Sequence, residues 1–240
     1  MHLSGWELAA CLAIVVVGSF VQGSIGFGLN LVVTPVIALI DPSAVPGAVV
    51  LLALPLTVTM AVREHQHVDW HGVTWILLGW LPGVCVGVAV VTLVATDTLT
   101  AVVGAVILVA VGLNLVHTHV RVTRTTAAAA GATAGAMGAA AAISGPPLAL
   151  LYQHHHGEAI RATLAMCFII GALMTTTALA VAGEIRAEQL LLTLTLLPAL
   201  LVGLVISTWA GRWLHGRSLR PAVLSFAAVA GLAALIRGLS

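Results

Sequence analysis

Lysine is absent from this 240-residue chain, and charge of either sign is scarce: nine arginines and eight acidic residues make up 7% of it. A soluble domain carries roughly 25% charged residues. So few ionised side chains cannot cover the surface of a water-exposed domain of this size, which excludes a soluble globular or disordered chain. A net charge of +1 excludes a phosphate-tracking nucleic-acid binder. Cysteine is scarce too. Cys11, Cys85 and Cys167 each lie inside an apolar run, unpaired in spacing and without a histidine nearby. They read as small buried hydrophobes, not as a disulfide framework or a metal site. No arginine precedes the first apolar run, only His2 and Glu7. A secretory leader has a basic start, so residues 6–22 are expected to be a retained membrane segment. No phosphate-binding loop motif is present, so nothing points to nucleotide-driven pumping by this chain.

What is abundant is apolar surface, 60% of residues, with a mean hydropathy of +1.14. Apolar runs fall at about 6–22, 29–40, 44–62, 72–94, 98–116, 125–143, 147–153, 162–183, 190–210 and 219–236. They are too long and unbroken for barrel strands, and five or six approach the ~20 residues of a full span. The fold class expected is all-α, a polytopic helical membrane protein. Two stretches differ. The pairs 6–22/29–40 and 125–143/147–153 are interrupted by Gly23-Ser24-Ile25-Gly26-Phe27-Gly28 and by Ser144-Gly145-Pro146-Pro147. Glycine and proline at membrane depth mark a broken or re-entrant helix.

The interrupted stretches match each other. An offset of 112 lays Gly23, Gly26 and Pro35 on Gly135, Gly138 and Pro147; an offset of 116 lays Leu81-Pro82 and Gly87 on Leu197-Pro198 and Gly203. The extra four residues can sit in the loop at His154–Glu158. This spacing predicts two repeats, 1–119 and 125–240, joined by a cytoplasmic linker at 120–124. If each repeat is an interrupted hairpin plus three spans, Arg63, Arg121, Arg124, Arg161, Arg212, Arg217 and Arg220 share one side and only Arg186 and Arg237 the other. A plain eight-span count splits them five to four. The positive-inside rule favours the first arrangement, which inverts the repeats and places both termini outside.

Inverted repeats with interrupted helices are a carrier architecture, with the substrate at the interruptions. No Asp, Glu, Arg or His lies well inside an apolar run, which argues against a carboxylate-based cation or proton path. An anion held by backbone amides and neutral donors fits. The expected contacts are amides around Gly26, Phe27 and Gly28 and around Ser144 and Gly145, with Pro146 beside them, and side chains of Ser24, Asn30, Thr34 and Ser144, with Gln22 as a weaker candidate. Ser144 is read as the N-cap of a helix restarting at Pro146. Pro82 and Pro198 are candidate bending points for gating, and Arg161 a candidate anion attractor at the inner mouth. The bland alternative is that these glycines only pack helices and these prolines only kink them.

Histidines at 65, 67, 71, 117, 119, 154, 155 and 156 lack carboxylate or cysteine partners and read as solvated loop residues, so no metal and no cofactor are expected. Ala142-Ile143-Ser144-Gly145 is similar to a serine-nucleophile site with its first glycine lost, but no membrane histidine could serve as base, so no catalytic residue is assigned.

These residues resemble a family. Gly23 to Gly28 followed by Pro35, then Ser144-Gly145-Pro146-Pro147-Leu148, then Arg161-Ala162-Thr163-Leu164 with Phe168, are similar to motifs of the TauE/SafE sulfite exporter family, over nearly the whole chain. The resemblance implies a multi-pass bacterial inner-membrane secondary transporter for a small inorganic or organosulfur anion, working by alternating access, with the lipid bilayer as its surroundings and a homodimer as one assembly to expect. A passive anion channel, an intramembrane hydrolase, and a structural or assembly subunit are the competing readings. Ala139 to Ala142 depart from the more glycine-rich pattern of the family, so the first repeat is expected to hold more of the polar contacts.

Overall fold

A computed structural model describes residues 4–26, 28–64, 67–116, 120–154, 158–210 and 216–239. The described residues form ten α-helices and no strand: α1 (Gly5–Ile25), α2 (Leu29–Ile40), α3 (Gly47–Glu64), α4 (Trp70–Leu93), α5 (Thr96–Leu115), α6 (Arg124–Ala141), α7 (Gly145–Leu151), α8 (Glu158–Val181), α9 (Ala187–Ala210) and α10 (Gly216–Leu239). Six of them, α1, α4, α5, α8, α9 and α10, are long and apolar enough to cross a membrane. Both expected interruptions are present. α1 stops at Gly26 and the chain restarts as the 12-residue α2; α6 stops at Ala142 and restarts as the 7-residue α7.

Both breaks use the left-handed region. Gly26 has φ +98°, which glycine adopts freely, and Ala142 has φ +60°, which a residue with a Cβ adopts at a cost of roughly 1–2 kcal/mol. These two helix-ending residues are 116 apart, and so are the N-caps Gly28 and Ser144. The offset of 116 seen in the later spans therefore already holds at the breaks. The glycine match at 112 is one helical turn out of register. Small residues recur every four positions along these packed helices, so a slip of one turn preserves the matches.

Packing partners come in exchanging sets. α4 packs on α6 as α9 packs on α1; α10 on α2 as α5 on α7; α4 on α8 as α9 on α3; and α5–α10 and α3–α8 each join counterpart helices. The α4–α6 contact is built from bare backbone. A Cβ on Gly79, Gly83 or Gly87 would strike the carbonyls of Ala128, Ala132 and Ala136, and a Cβ on Gly131 or Gly135 would strike those of Ile76 and Trp80. Apolar burial gives little drive between helices already surrounded by hydrocarbon, so close approach and dispersion hold such pairs. On the exchanging contact, Gly203 of α9 meets Val16, Ser19 and Phe20 of α1. α6 is rich in alanine and glycine and is not among the six apolar spans; most of its second half is buried.

Successive contacts fix directions. The stations 79–128, 83–132 and 87–136 make α4 and α6 parallel. The Asp69 amide donates to Thr163 Oγ1 at 3.0 Å and Trp80 Nε1 to Thr175 Oγ1 at 3.3 Å, so α8 runs with them. Gln189 Nε2 donates to the Ser43 carbonyl at 2.7 Å and Thr193 Oγ1 to that of Ala48 at 3.2 Å, which puts the start of α9 beside the start of α3. The five-residue links 65–69 and 182–186 reach at most about 18 Å, well short of a span. α3 therefore ends where α8 begins and begins where α8 ends. α1, α3 and α9 run opposite to α4, α6 and α8.

The α4 start is secured by Asp69, whose Oδ1 accepts from the amides of His71 and Gly72, both at 3.1 Å. Trp75 Nε1 donates to His71 Nε2 at 3.2 Å, and the Arg124 guanidinium sits 5.3 Å from the Trp75 ring, tying the start of α6 to α4. Cys11 and Cys167 are buried as expected, but Cys85 is exposed on the outer face of α4. It belongs to the lipid-facing stripe of that helix with Leu78, Leu81 and Val86, while Gly83, Val84 and Gly87 point inward.

Candidate functional site

The two breaks meet. Asn30 Nδ2, in the first turn of α2, donates to the carbonyl of Ala142, the residue that ends α6. Beside this bond lies a cavity of about 60 Å³, room for a few waters or one small oxyanion. Gln22, Gly28, Asn30 and Leu31 line it from the first break, and Gly138, Ala142, Ser144, Gly145 and Pro146 from the second. α3 contributes Val50, Ala53 and Thr57, and α8 contributes Phe168, Ala172 and Thr175. Lining residues exchange under the offset of 116: Gln22 with Gly138, Gly28 with Ser144, and Asn30 with Pro146.

Of the residues expected at the site, Gly28, Asn30, Ser144, Gly145, Pro146 and Gln22 come together here. Phe27 lies outside the described residues. Ser24, Gly26 and Thr34 do not line the cavity. Gly26 instead ends α1, and Thr34 is fully buried in α2 with no hydrogen-bond partner for its hydroxyl among the described residues. Pro82 and Pro198 sit inside unbroken helices on their exposed faces, away from the cavity. Arg161 is exposed near the start of α8 and is not a lining residue.

The donors differ from expectation in two ways. Ser144 occupies the N-cap of α7, yet its side chain makes no capping bond, which leaves the hydroxyl uncommitted to the helix. Pro146 and Pro147, in the first turn of α7, carry no N–H, as their residue type dictates, so the amides on this side are limited to those around Ser144 and Gly145. Gln22 holds the first break together: its Oε1 accepts from the Leu29 amide at 3.0 Å, and its Nε2 approaches Met60 sulfur at 3.7 Å. Gln22→Leu should leave the buried Leu29 amide unpaired, at roughly 1–3 kcal/mol. A lowered melting temperature in detergent checks this; unchanged melting would mean that water replaces the amide.

Sequence reading missed Thr57 and Thr175. Single threonines in apolar helices carry no motif, and only the tertiary contact of α3 with α8 brings them to one cavity. Thr57 Oγ1 donates to the Leu54 carbonyl at 2.9 Å. Thr175 Oγ1 accepts from Trp80 Nε1, which leaves its own O–H to point elsewhere. Trp80 is itself wedged against Gly171, where a Cβ would strike its ring. The phenyl ring of Phe168 supplies apolar lining. Among the described residues no group of three His, Cys, Asp or Glu gathers closely enough to hold a metal; His65, His117, His119, His155 and His156 lie outside the described residues.

A helical bundle with six membrane-length helices is that of a multi-pass membrane protein, here with a small cavity between two broken helices. The chain belongs to the TauE/SafE sulfite exporter family, whose family model matches residues 10–234. No curated protein and no solved structure gave a match.

Proposed function

We propose that this chain is a secondary transporter that moves a small sulfur-containing oxyanion, sulfite or an organosulfonate, across the bacterial inner membrane by alternating access. One observation carries the reading: the two broken helices, one from each half, meet at a cavity lined by neutral polar groups. The halves 1–119 and 125–240 are read as inverted repeats, which the exchanging contacts and the opposite directions of α1 and α6 support. α3 and α8 flank the cavity from the two halves, so a relative tilt of the halves would open it to one side or the other. Arg63, Arg121, Arg124 and Arg161 lie at the end where α4, α6 and α8 start, and Arg186 and Arg237 at the other. The arginine-rich end is taken as cytoplasmic, with both termini outside. The cavity is assembled within one chain, so a homodimer is not needed to complete it.

A serine-hydrolase reading is disfavoured because, among the described residues, no His, Asp or Glu lines the cavity beside Ser144. A passive channel would use the same residues, and counterflow separates the two. Proteoliposomes preloaded with unlabelled sulfite should accumulate labelled sulfite transiently and saturably. Uptake that merely equilibrates, linear in concentration, would identify a channel, and no uptake by folded protein would remove the anion reading.

Asn30→Leu tests the site. It deletes a polar lining group and the bond to Ala142, and should raise the half-saturating anion concentration by about ten-fold, equivalent to about 1.4 kcal/mol, at an unchanged level of inserted protein. Unchanged kinetics would make Asn30 a packing residue only.

A further inference from the structure

The cavity has a further property: among the described residues, none that lines it is charged or titratable. We infer that the site selects its substrate by charge, admitting singly charged oxyanions, including the hydrogen-bearing form of sulfite, and rejecting dianions of the same size. This inference rests on the carrier reading above.

Along the surrounding helices the ionisable residues are separated in sequence from the lining positions, Cys167 excepted. Glu7 and Cys11 lie in the first half of α1, whereas Gln22 lines the cavity near its end. Asp41 follows α2, Arg63 and Glu64 close α3, and Arg124 opens α6. Tyr152 and His154 follow α7. Glu158 and Arg161 open α8, and Cys167 is its one ionisable group beside the lining stretch 168–175, itself absent from the lining. α4 touches the lining residue Thr175 through the Trp80 indole, and its Asp69 and His71 lie at its start.

The cost of removing an ion from water rises with the square of its charge, and it is offset in a protein only by opposite charge or by enough hydrogen-bond donors. Here the donors are few and neutral. Thr175 offers an O–H, Ser144 has a hydroxyl free of capping, and the prolines at 146 and 147 remove two amides that a dianion would use. Such a set can balance one negative charge spread over several oxygens far better than two.

The test uses wild-type protein in proteoliposomes and three anions of similar size. Methanesulfonate carries one charge at every working pH, sulfate carries two, and sulfite passes from one to two near neutrality. Exchange of methanesulfonate should be flat with pH. Exchange of sulfite at fixed total concentration should fall at least five-fold from pH 6 to pH 8.5, and sulfate should exchange at least ten-fold more slowly than methanesulfonate. Comparable rates for sulfate, or sulfite exchange as flat as that of methanesulfonate, would overturn charge selection while leaving the carrier intact. Exchange of none of the three would remove the carrier reading itself, and this inference with it.

Discussion

Gly83→Val is expected to abolish folded protein. Gly83 sits at the middle of the α4–α6 contact, where an added Cβ would overlap the backbone of Ala132. A side chain could rotate away from such a clash, but a backbone carbonyl inside a helix cannot move without its turn. Gly79 and Gly87 make the same demand one turn before and after, so α6 cannot slide or tilt to relieve one station without worsening another. Overpacking of a well-filled core costs typically 1–3 kcal/mol, and more where backbone must shift. Separating α4 from α6 would also undo the support of the second break, because α6 ends at Ala142 in the cavity wall. Fluorescence-detected gel filtration should show an aggregated peak in place of a monodisperse one. Gly112→Val is the control: a Cβ there meets nothing within 4 Å, and the variant should elute as wild type. A monodisperse, transport-active Gly83→Val would show that the two helices are held further apart than this packing allows.

That contact also shows what the sequence could and could not disclose. Gly79, Gly83 and Gly87 at four-residue spacing announce a helix that something approaches closely, but not which helix. The partner is fixed by Ala128, Ala132 and Ala136, whose alanines look like ordinary apolar filling. The breaks were legible because glycine and proline act locally, through φ and the missing N–H. Repeat register at the breaks was not, because packing small residues recur with the helical turn, and Ala142 takes a conformation that its Cβ disfavours. Half of the cavity followed from the break motifs; Thr57 and Thr175 did not, since only long-range packing of α3 against α8 brings them there. Pro82 and Pro198 drew notice by residue type and by their match at an offset of 116, and their positions on exposed faces show that neither signal tells which side of a helix a proline occupies.

Gly138→Ala should separate transport from stability. Gly138 lies in α6 and lines the cavity opposite Gln22 in the repeat register. An added Cβ would stand 3.4 Å from Ser144 Cβ, 3.5 Å from its hydroxyl and 3.9 Å from Thr175 Oγ1, which is ordinary contact at the first two and loose at the third. Nothing must move to admit it, and alanine favours a helix over glycine by up to about 1 kcal/mol. The variant should therefore melt no lower than wild type. Yet the methyl group would occupy space beside the two hydroxyls proposed to hold the anion, in a cavity of only about 60 Å³. Anion exchange should fall about ten-fold, and Gly138→Leu, which fills the cavity, should eliminate it. The pairing matters more than either number. A mutation that weakens transport by loosening the fold lowers melting and activity together, whereas a methyl group placed in a substrate site leaves melting intact while activity drops. Normal exchange by folded Gly138→Leu would mean that the anion passes elsewhere, and the meeting of the two breaks would then be structural only.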